Sequence, residues 1–300
     1  MKNFAIIGAG GYIAPRHMKA IKETAHNLIA GLDKHDSVGV LDSYFPEADF
    51  FVEFERFDHH LEKLKRQGIR IDYVVVCSPN YLHDAHIRFG LRIGADVICE
   101  KPVVLNPWNI DALIEIEKET GNKVHTILQL RLHPAIIALR EKIQTNKSGN
   151  KHKMKLQYFT RRGNWYHISW KGDMQKSGGI ATNIGVHFFD MLLWIFGDVQ
   201  ENHIHQHDAK NAMGKLILVN AEVEWLLSID SDKLPAEAKE VGKRTHRTLT
   251  IDGDSFEFSE GFTELHTTSY QHILDGKGFP LSETKKAIEV VHDIRKASSK

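Results

Sequence analysis

Short apolar segments alternate with helical patterns through the first 128 residues of the chain. The apolar segments show no period-two alternation and lie at 4–7, 27–32, 73–77, 96–99 and 123–128. Between them, apolar residues recur at helical spacing over 14–24, 57–67, 83–93 and 107–120. Apolar strands of this type are typical of a parallel sheet covered on both faces. The pattern therefore predicts a doubly wound Rossmann sheet that binds ligands at the carboxyl ends of its strands.

The pattern changes from about residue 130. Apolar and polar residues now alternate over 153–161, 214–230 and 245–259, which is typical of a half-exposed antiparallel sheet. The other expected elements are helices at 134–145, 180–196 and 283–297, a tryptophan-rich segment at 164–171 and a hairpin at 231–246. We predict an α/β protein with two domains. A Rossmann domain covers 1–128, and an α/β domain with a largely antiparallel open sheet covers 129–300.

Composition limits the classes of partner. The 39 basic side chains of Lys and Arg equal the 39 acidic ones, so no net field draws the protein to nucleic acid or to a membrane surface. An anionic substrate would have to be bound by local basic residues. No export signal is visible, no apolar run reaches the length of a membrane span, and the two cysteines, Cys77 and Cys99, end apolar segments. These features favour a reducing cytoplasm.

A glycine-rich turn follows the first apolar segment. Gly8, Gly10, Gly11, Tyr12 and Ile13 match part of the dinucleotide-binding fingerprint, whose third glycine position holds Ile13. Glycines at such a turn let backbone amides approach a pyrophosphate at a helix N-terminus. Asp33 follows at the end of the second strand, where a carboxylate binds the ribose hydroxyls and repels a 2′-phosphate. The turn therefore favours NAD over NADP, although Asp33 could also simply cap its strand.

Two later turns are expected at the same sheet edge. Ser78-Pro79-Asn80-Tyr81-Leu82-His83 could support a nucleotide ribose or be an ordinary connection. Glu100-Lys101-Pro102 follows the next strand, with Pro102 as a candidate cis peptide. A partly desolvated lysine can act as an acid or hydrogen-bond donor toward a substrate hydroxyl. The alternative is a solvated Lys101 beside Glu100.

The helix expected at 180–196 carries a candidate base. Asn183 and His187 are four residues apart and should share a face, and Asp190 could lie on the same side. An imidazole can remove a hydroxyl proton during hydride transfer, although a buried structural histidine is the commoner role.

Basic and aromatic residues also cluster ahead of this helix and could bind an anionic sugar. They are Arg131, His133, Arg161, Arg162, Asn164, Trp165, Tyr166, Trp170 and Lys171. The aromatic residues could equally belong to the sheet core. His203, His205 and His207 alternate along a candidate strand, but no further ligand is spaced to complete a zinc site, so we predict no metal.

The order of these motifs resembles the Gfo/Idh/MocA oxidoreductase family over nearly the whole chain. The resemblance rests on the glycine turn, S-P-N-Y-L-H, C-E-K-P and the segment from Gly178 to Asp190. Within the family, the N-W-Y and S-W-K-G-D motifs resemble the UDP-N-acetylglucosaminuronate 3-dehydrogenases of bacteria. The resemblance implies NAD-dependent oxidation of the C3 hydroxyl of a UDP-linked 2-acetamido-2-deoxyglucuronate, for lipopolysaccharide O-antigen synthesis. It also implies a homo-oligomer and, in some members, regeneration of NAD by 2-oxoglutarate.

The resemblance also implies roles for individual residues. Lys101 and His187 would be catalytic. Residues near NAD would be Gly8, Gly10, Gly11, Tyr12, Ile13, Asp33, Ser78, Asn80, His83, Glu100 and Lys101. The substrate site would contain Lys101, Arg131, Asn164, Trp165, Tyr166, Lys171, Asn183 and His187. Many family members carry aspartate where this chain has Asn183, so His187 would act without that carboxylate. Alternatives are a dehydrogenase of another nucleotide sugar or polyol, and a non-catalytic NAD-binding sugar sensor.

Overall fold

The computed structural model describes residues 1–36, 39–145, 149–256, 258 and 264–297. Two compact units divide the chain, Met1–Gln129 with Thr263–Thr284 and Leu130–Phe262 with Lys285–Lys300. A parallel sheet lies in the first unit and a mixed, mostly antiparallel sheet in the second. The predicted fold class is confirmed.

The strands and helices are numbered along the chain. The strands are β1 (Asn3–Ile7), β2 (Asn27–Leu32), β3 (Asp49–Phe51), β4 (Tyr73–Val76), β5 (Asp96–Cys99), β6 (Val124–Thr126), β7 (His152–Thr160), β8 (Val199–His207), β9 (Asn211–Leu218), β10 (Ala221–Ser228), β11 (Thr245–Ile251) and β12 (Asp254–Ser255). The helices are α1 (Ala14–Glu23), α2 (Gly39–Tyr44), α3 (Phe54–Arg66), α4 (His83–Ile93), α5 (Pro107–Thr120), α6 (Pro134–Thr145), α7 (Asn164–Ile168), α8 (Met174–Ser177), α9 (Val186–Phe196), α10 (Ala236–Glu240), α11 (Leu265–Leu274) and α12 (Leu281–Ala297).

The first sheet has the strand order β3-β2-β1-β4-β5-β6, and its strands are parallel. This is the Rossmann order, in which ligands bind outside the carboxyl ends of the strands. Helix α11 also belongs to this unit, although the sequence analysis placed all of 129–300 in one domain. Tyr270 and Ile273 of α11 join the core cluster that contains Phe4 and Met18. The return of α11 matters because it adds buried polar groups to the first unit.

The second sheet has the order β12-β11-β7-β10-β9-β8, in which β7 and β10 are parallel and the other pairs antiparallel. The alternating stretch at 214–230 is divided between β9 and β10. The stretch at 245–259 stays extended only to Ile251 before the turn into β12, and positions 257 and 259 lie outside the described residues.

The segment 231–246 is not the hairpin that its polar composition predicted. A 3-10 turn at Ser231–Lys233 is followed by α10, which begins directly after Pro235. Leu234 and Ala238 are buried against Phe159, and this apolar contact explains why the segment folds back as a helix.

The helix expected at 180–196 begins with a π-helical turn, Ala181–Gly185, and continues as α9. Within the described residues, Met174–Phe196 is the stretch whose length and hydropathy would allow it to cross a membrane, and the sequence analysis did not single it out. Most of its apolar window, 72%, is buried inside the fold. Its apolar character therefore serves the core of the second unit.

Candidate functional site

The glycine turn after β1 has the geometry of a dinucleotide cradle. Gly8 has φ +93°, and a Cβ on it would lie 2.6 Å from the carbonyl carbon of Cys77. Only glycine fits both restrictions. The amides of Gly8 and Ala9 donate to Leu32 O at 2.7 and 3.1 Å, and α1 begins at Ala14. The turn therefore places backbone against the N-terminus of a helix, where a pyrophosphate binds.

Asp33 closes this turn from the end of β2. Its Oδ2 accepts a hydrogen bond from the Gly10 amide at 3.0 Å, and its Oδ1 accepts one from the His35 amide at 3.0 Å. The carboxylate is thus oriented beside the glycines and keeps acceptor capacity for ribose hydroxyls. Tyr12 extends into solvent with 85% of its surface exposed. Together these residues fit the NAD that the sequence predicts.

His83 connects the turns after β4 and β5. Its Nδ1 lies 2.7 Å from Pro102 O and its Nε2 lies 2.8 Å from Ser78 O, with the residue 1% exposed. Burial lowers the pKa of His83, although the two backbone contacts oppose that shift. The Lys101-Pro102 peptide is cis. Both ring nitrogens of His83 face backbone carbonyls, so this side chain bridges the two turns.

Ser78 has a second histidine partner. Its hydroxyl lies 2.8 Å from Nδ1 of His86, whose ring stacks on Phe54. Burial lowers the pKa of His86 to about 4. The Ser78 turn is thus fixed by two histidines, His83 through the Ser78 carbonyl and His86 through its hydroxyl. Asn80, the other polar residue predicted to contact NAD from this turn, is 5% exposed.

Glu100 is the centre of a buried hydrogen-bond network in the first unit. Its Oε1 lies 2.9 Å from His17 Nε2 and 3.0 Å from His266 Nε2. Its Oε2 accepts the Lys101 amide at 3.2 Å, and His17 Nδ1 lies 2.9 Å from the hydroxyl of Tyr270. Burial raises the pKa of Glu100, but the hydrogen bonds from the two histidines outweigh burial and hold that pKa well below its usual range. The carboxylate beside Lys101 is therefore ionised.

His17, Glu100 and His266 also have the residue types and spacing of a metal-binding group, which the sequence analysis did not predict. One ligand atom each from His17, Glu100 and His266 lies within 4.8 Å of the others. Both nitrogen–oxygen contacts have ordinary N–H···O lengths, so hydrogen bonding accounts for the geometry.

The alternating histidines considered for a zinc site lie on β8. Nε2 of His203 lies 2.6 Å from Oε2 of Glu201, and a bulge interrupts β8 between Ile204 and Gln206.

The second unit presents Asn183 and His187 together. From 181 to 192, every residue is buried except these two, which remain partly exposed. Asn183 lies in the π-helical turn and His187 in the first turn of α9. Short π-helical segments are frequent at functional sites. The apolar helix therefore leaves one amide and one imidazole accessible on an otherwise buried segment.

Arg131 is held by the protein itself. Its Nε and Nη2 donate to Asp190 at 2.9 and 2.7 Å, and both side chains are almost fully buried. Its guanidinium also lies 5.9 Å from the ring of Trp194. The structure therefore places Arg131 against α9, the helix of His187, and the sequence analysis did not foresee this pairing.

The tryptophan-rich segment supplies a polar and aromatic group. Asn183 Nδ2 donates to the Tyr166 hydroxyl at 3.1 Å, and Lys171 Nζ lies 5.7 Å from the Trp165 ring centroid. Burial lowers the pKa of Lys171, and Arg162 adds to that shift. Burial raises the pKa of Tyr166. Asn164 begins α7 beside Trp165, which is 51% exposed.

Sequence reasoning missed the partners of Glu100. His17 occupies an inward position of α1 beside Met18 and Ile21, and that helical spacing could have identified it. His266 lies 166 residues from Glu100, in a segment that carries no recognisable motif. Long-range pairs of this kind leave no local pattern.

Comparison with known proteins identifies the family. Residues 2–128 match the oxidoreductase family's NAD-binding Rossmann fold, and residues 140–215 match its C-terminal alpha/beta domain. The structure of the WlbA (WbpB) dehydrogenase from Thermus thermophilus, in complex with NAD and alpha-ketoglutarate, is 48% identical with a TM-score of 0.95. The match covers 98% of this chain and 95% of that one.

A second structure of this enzyme and one curated relative extend the comparison. A second structure of the Thermus thermophilus enzyme, in complex with NAD and UDP-GlcNAcA, is 47% identical, covers the same shares of both chains and has a TM-score of 0.94. The putative oxidoreductase YteT of Bacillus subtilis is 28% identical over 233 residues, 75% of this chain and 52% of YteT. The chain spans about half the length of the curated relatives it matches. It belongs to the Gfo/Idh/MocA oxidoreductase family and binds NAD through its Rossmann unit.

Proposed function

We propose that this protein oxidises the C3 hydroxyl of a UDP-linked 2-acetamido-2-deoxyglucuronate to the 3-keto sugar. The observation that carries the proposal is the 47% identity, over 98% of the chain, to a dehydrogenase solved in complex with NAD and UDP-GlcNAcA. The basic and aromatic residues of the second unit support it, because Lys171, Trp165 and Tyr166 suit an anionic sugar nucleotide. The proposal includes surface polysaccharide synthesis as the pathway, a cytoplasmic location and a homo-oligomer.

The proposed reaction breaks two bonds of the substrate, the C3–H bond and the O–H bond of the C3 hydroxyl. NAD supplies the acceptor for the hydride that leaves C3. His187 takes the hydroxyl proton, while Lys101 holds and polarises the oxygen that becomes the ketone. The products are the 3-keto sugar, NADH and a protonated imidazole. Asn183, an amide, cannot share the proton, so His187 is the base in this scheme.

The two units have separate roles in this scheme. The glycine turn and Asp33 hold the cofactor in the first unit, and the ionised Glu100 fixes the backbone of Lys101. In the second unit, the pair of Arg131 and Asp190 supports the helix of His187. Alpha-ketoglutarate is bound in the Thermus thermophilus relative, and we propose it as the oxidant that regenerates NAD here.

The test incubates purified protein with UDP-GlcNAcA and 2-oxoglutarate. We expect 3-keto sugar and 2-hydroxyglutarate in equal amounts, and a single-turnover rise in NADH absorbance when the oxidant is omitted. Lys101→Ala and His187→Ala should each abolish both signals. His203→Ala should leave both signals intact, because His203 is an exposed residue of β8 that pairs with Glu201.

The outcomes separate the alternatives. If the protein turns over a free polyol and does not bind UDP, its substrate is a polyol and the proposed substrate is wrong. Bound NAD that no sugar reduces would indicate a sugar sensor. Full activity in both alanine variants would contradict the catalytic assignment even if the substrate were right.

A further inference from the structure

We infer that His17 and His266 are positioning residues for Lys101, acting through the carboxylate of Glu100. The inference rests on the proposed function, because it assumes that Lys101 holds the reacting oxygen. All four side chains lie in the first unit: His17 on α1, His266 on α11, and Glu100 and Lys101 in the turn after β5. The proposed catalytic set leaves His17, His266 and Tyr270 without a role.

With His17 neutral, as its burial favours, the hydrogen-bond network has one consistent arrangement of protons. The ionised carboxylate of Glu100 only accepts, so both histidines present Nε2–H to it. His17 Nδ1 then accepts from the Tyr270 hydroxyl, which lies 2.9 Å away. His266 Nδ1 is buried with no hydrogen-bond partner in the described part of the chain. A proton there would be a buried donor without an acceptor, so the neutral tautomer of His266 fits best.

Each histidine directs the carboxylate from a different element. His17 and His266 meet at right angles, with ring centroids 5.0 Å apart and an interplanar angle of 81°. Both donate to Oε1, which leaves Oε2 directed at the Lys101 amide. Glu100 therefore cannot rotate without losing two buried hydrogen bonds. The backbone from which the Lys101 side chain extends is held by the same constraint.

Ionisation of Glu100 depends on these donors. A buried carboxylate without donors takes up a proton more readily, because burial disfavours its charged form. A protonated Oε2 would present a hydrogen to the Lys101 amide rather than a lone pair. Several titratable groups act on Glu100 or respond to its charge. They are His17 on α1, His266 and Tyr270 on α11, Cys77 directly after β4, Cys99 at the end of β5, and His83 on α4.

The experiment compares two substitutions at each histidine in the NAD-loaded full chain. His17→Leu and His266→Leu remove the donor, whereas His17→Gln and His266→Gln keep an amide N–H at similar reach. We expect kcat to fall about tenfold or more in the leucine variants, since small misplacements of a reacting group carry losses of this size. KM for NAD and for UDP-GlcNAcA should stay within about twofold, and glutamine should restore most of kcat.

The pH profile gives a reading that a purely structural role would not change. In the leucine variants the pKa of Glu100 rises, so kcat should recover as the pH is raised from about 6 to 8. The increase in kcat over this pH range should be larger in the leucine variants than in wild type. His125→Leu is the matched control, because His125 is a largely buried histidine of the same unit whose Nδ1 has no hydrogen-bond partner in the described residues. It should follow the wild-type profile.

Several results would overturn the inference. They are equal losses of kcat in leucine and glutamine variants, an effect confined to KM, or a stoichiometric metal ion in the purified protein that is lost in His266→Gln. If a leucine variant does not fold, His266→Asn, whose shorter amide cannot reach Glu100, replaces it. Full turnover in Lys101→Ala would reject the proposed function itself. An inactive Lys101→Ala beside normal histidine variants would reject the inference alone.

Discussion

Asp190 accepts two hydrogen bonds from Arg131, at 2.9 and 2.7 Å, inside the second unit. The pair joins the start of that unit to the helix of His187 and is almost fully buried, with side-chain exposures of 4% and 3%. A buried, bidentate pair of this kind is well satisfied as a pair, but either charge alone would be left without compensation.

Asp190→Asn should therefore destabilise the protein by about 3–5 kcal/mol, because it leaves the Arg131 guanidinium buried without its counter-charge. Urea denaturation of the NAD-loaded protein measures this change. The control is Asp198→Asn, which breaks an exposed pair with Lys286 and should change the free energy of unfolding by about 1 kcal/mol or less. A higher KM for sugar at unchanged stability would instead indicate that Arg131 binds substrate, as its residue type predicted.

Gly8→Ala and Gly94→Ala separate backbone strain from steric exclusion. Both glycines have positive φ, +93° and +90°, but a Cβ at Gly94 would meet no atom within 4 Å. A Cβ at Gly8 would lie 2.6–2.7 Å from the backbone of Cys77 and Ser78, which cannot move aside as a side chain can.

We expect Gly94→Ala to lower the free energy of unfolding by about 1–2 kcal/mol, which is the strain alone. Gly8→Ala should lower it by roughly 3 kcal/mol or more and weaken NAD binding at least tenfold, because the turn must open. Thermal unfolding and titration with NAD give the two values. Equal destabilisation by both variants would show that the close approach at Gly8 contributes nothing.

The sequence predicted the elements whose pattern is local. Helix α4 and strand β2 were predicted to the residue because each has a clear apolar period and a defined end. The short strand β3 and helix α11 were missed, since three residues or a mixed surface carry no clear period. The glycine turn and Asp33 were found because their spacing is itself the chemical requirement.

The sequence could not identify partners that are far apart in the chain. Arginine indicates an anion, but only the structure shows that the anion beside Arg131 is Asp190. The contact of Glu100 with NAD stays a prediction, and the sequence did not indicate its hydrogen-bond partners His17 and His266. Hydrogen bonds between distant residues depend on packing, which leaves no pattern in either segment.

Asp33→Asn tests the assignment of the cofactor. The amide can still accept from Gly10, so the turn should persist, but the charge that binds ribose hydroxyls and repels a 2′-phosphate is lost. We expect KM for NAD to rise about tenfold, the equivalent of one charge-assisted hydrogen bond, and use of NADP to increase. Steady-state rates with both cofactors measure this. Asp36→Asn, at an exposed position three residues on, should change neither, and an unchanged NAD/NADP ratio in Asp33→Asn would contradict the ribose role.

Acid should destabilise the protein through buried histidines. The pKa of His86 is lowered by burial from 6.5 to about 4, and burial also lowers the pKa of His17 and His83. Between pH 6.5 and about 4, the unfolded chain binds a proton at position 86 that the folded chain does not bind. Stability therefore falls as pH is lowered through this window, by up to about 1.4 kcal/mol per pH unit for each such histidine.

His86→Gln should remove the contribution of one titrating histidine to the slope of unfolding free energy against pH. Glutamine does not titrate but can still form a hydrogen bond with the Ser78 hydroxyl. Urea denaturation at pH 7.5, 6.5, 5.5 and 4.5, values chosen to span the window, measures the slope for wild type and variant. His59→Gln, at an exposed position on α3, should leave the slope unchanged. If His86→Gln keeps the wild-type slope, the ring takes up its proton in the folded protein, where Nδ1–H donates to the Ser78 hydroxyl oxygen.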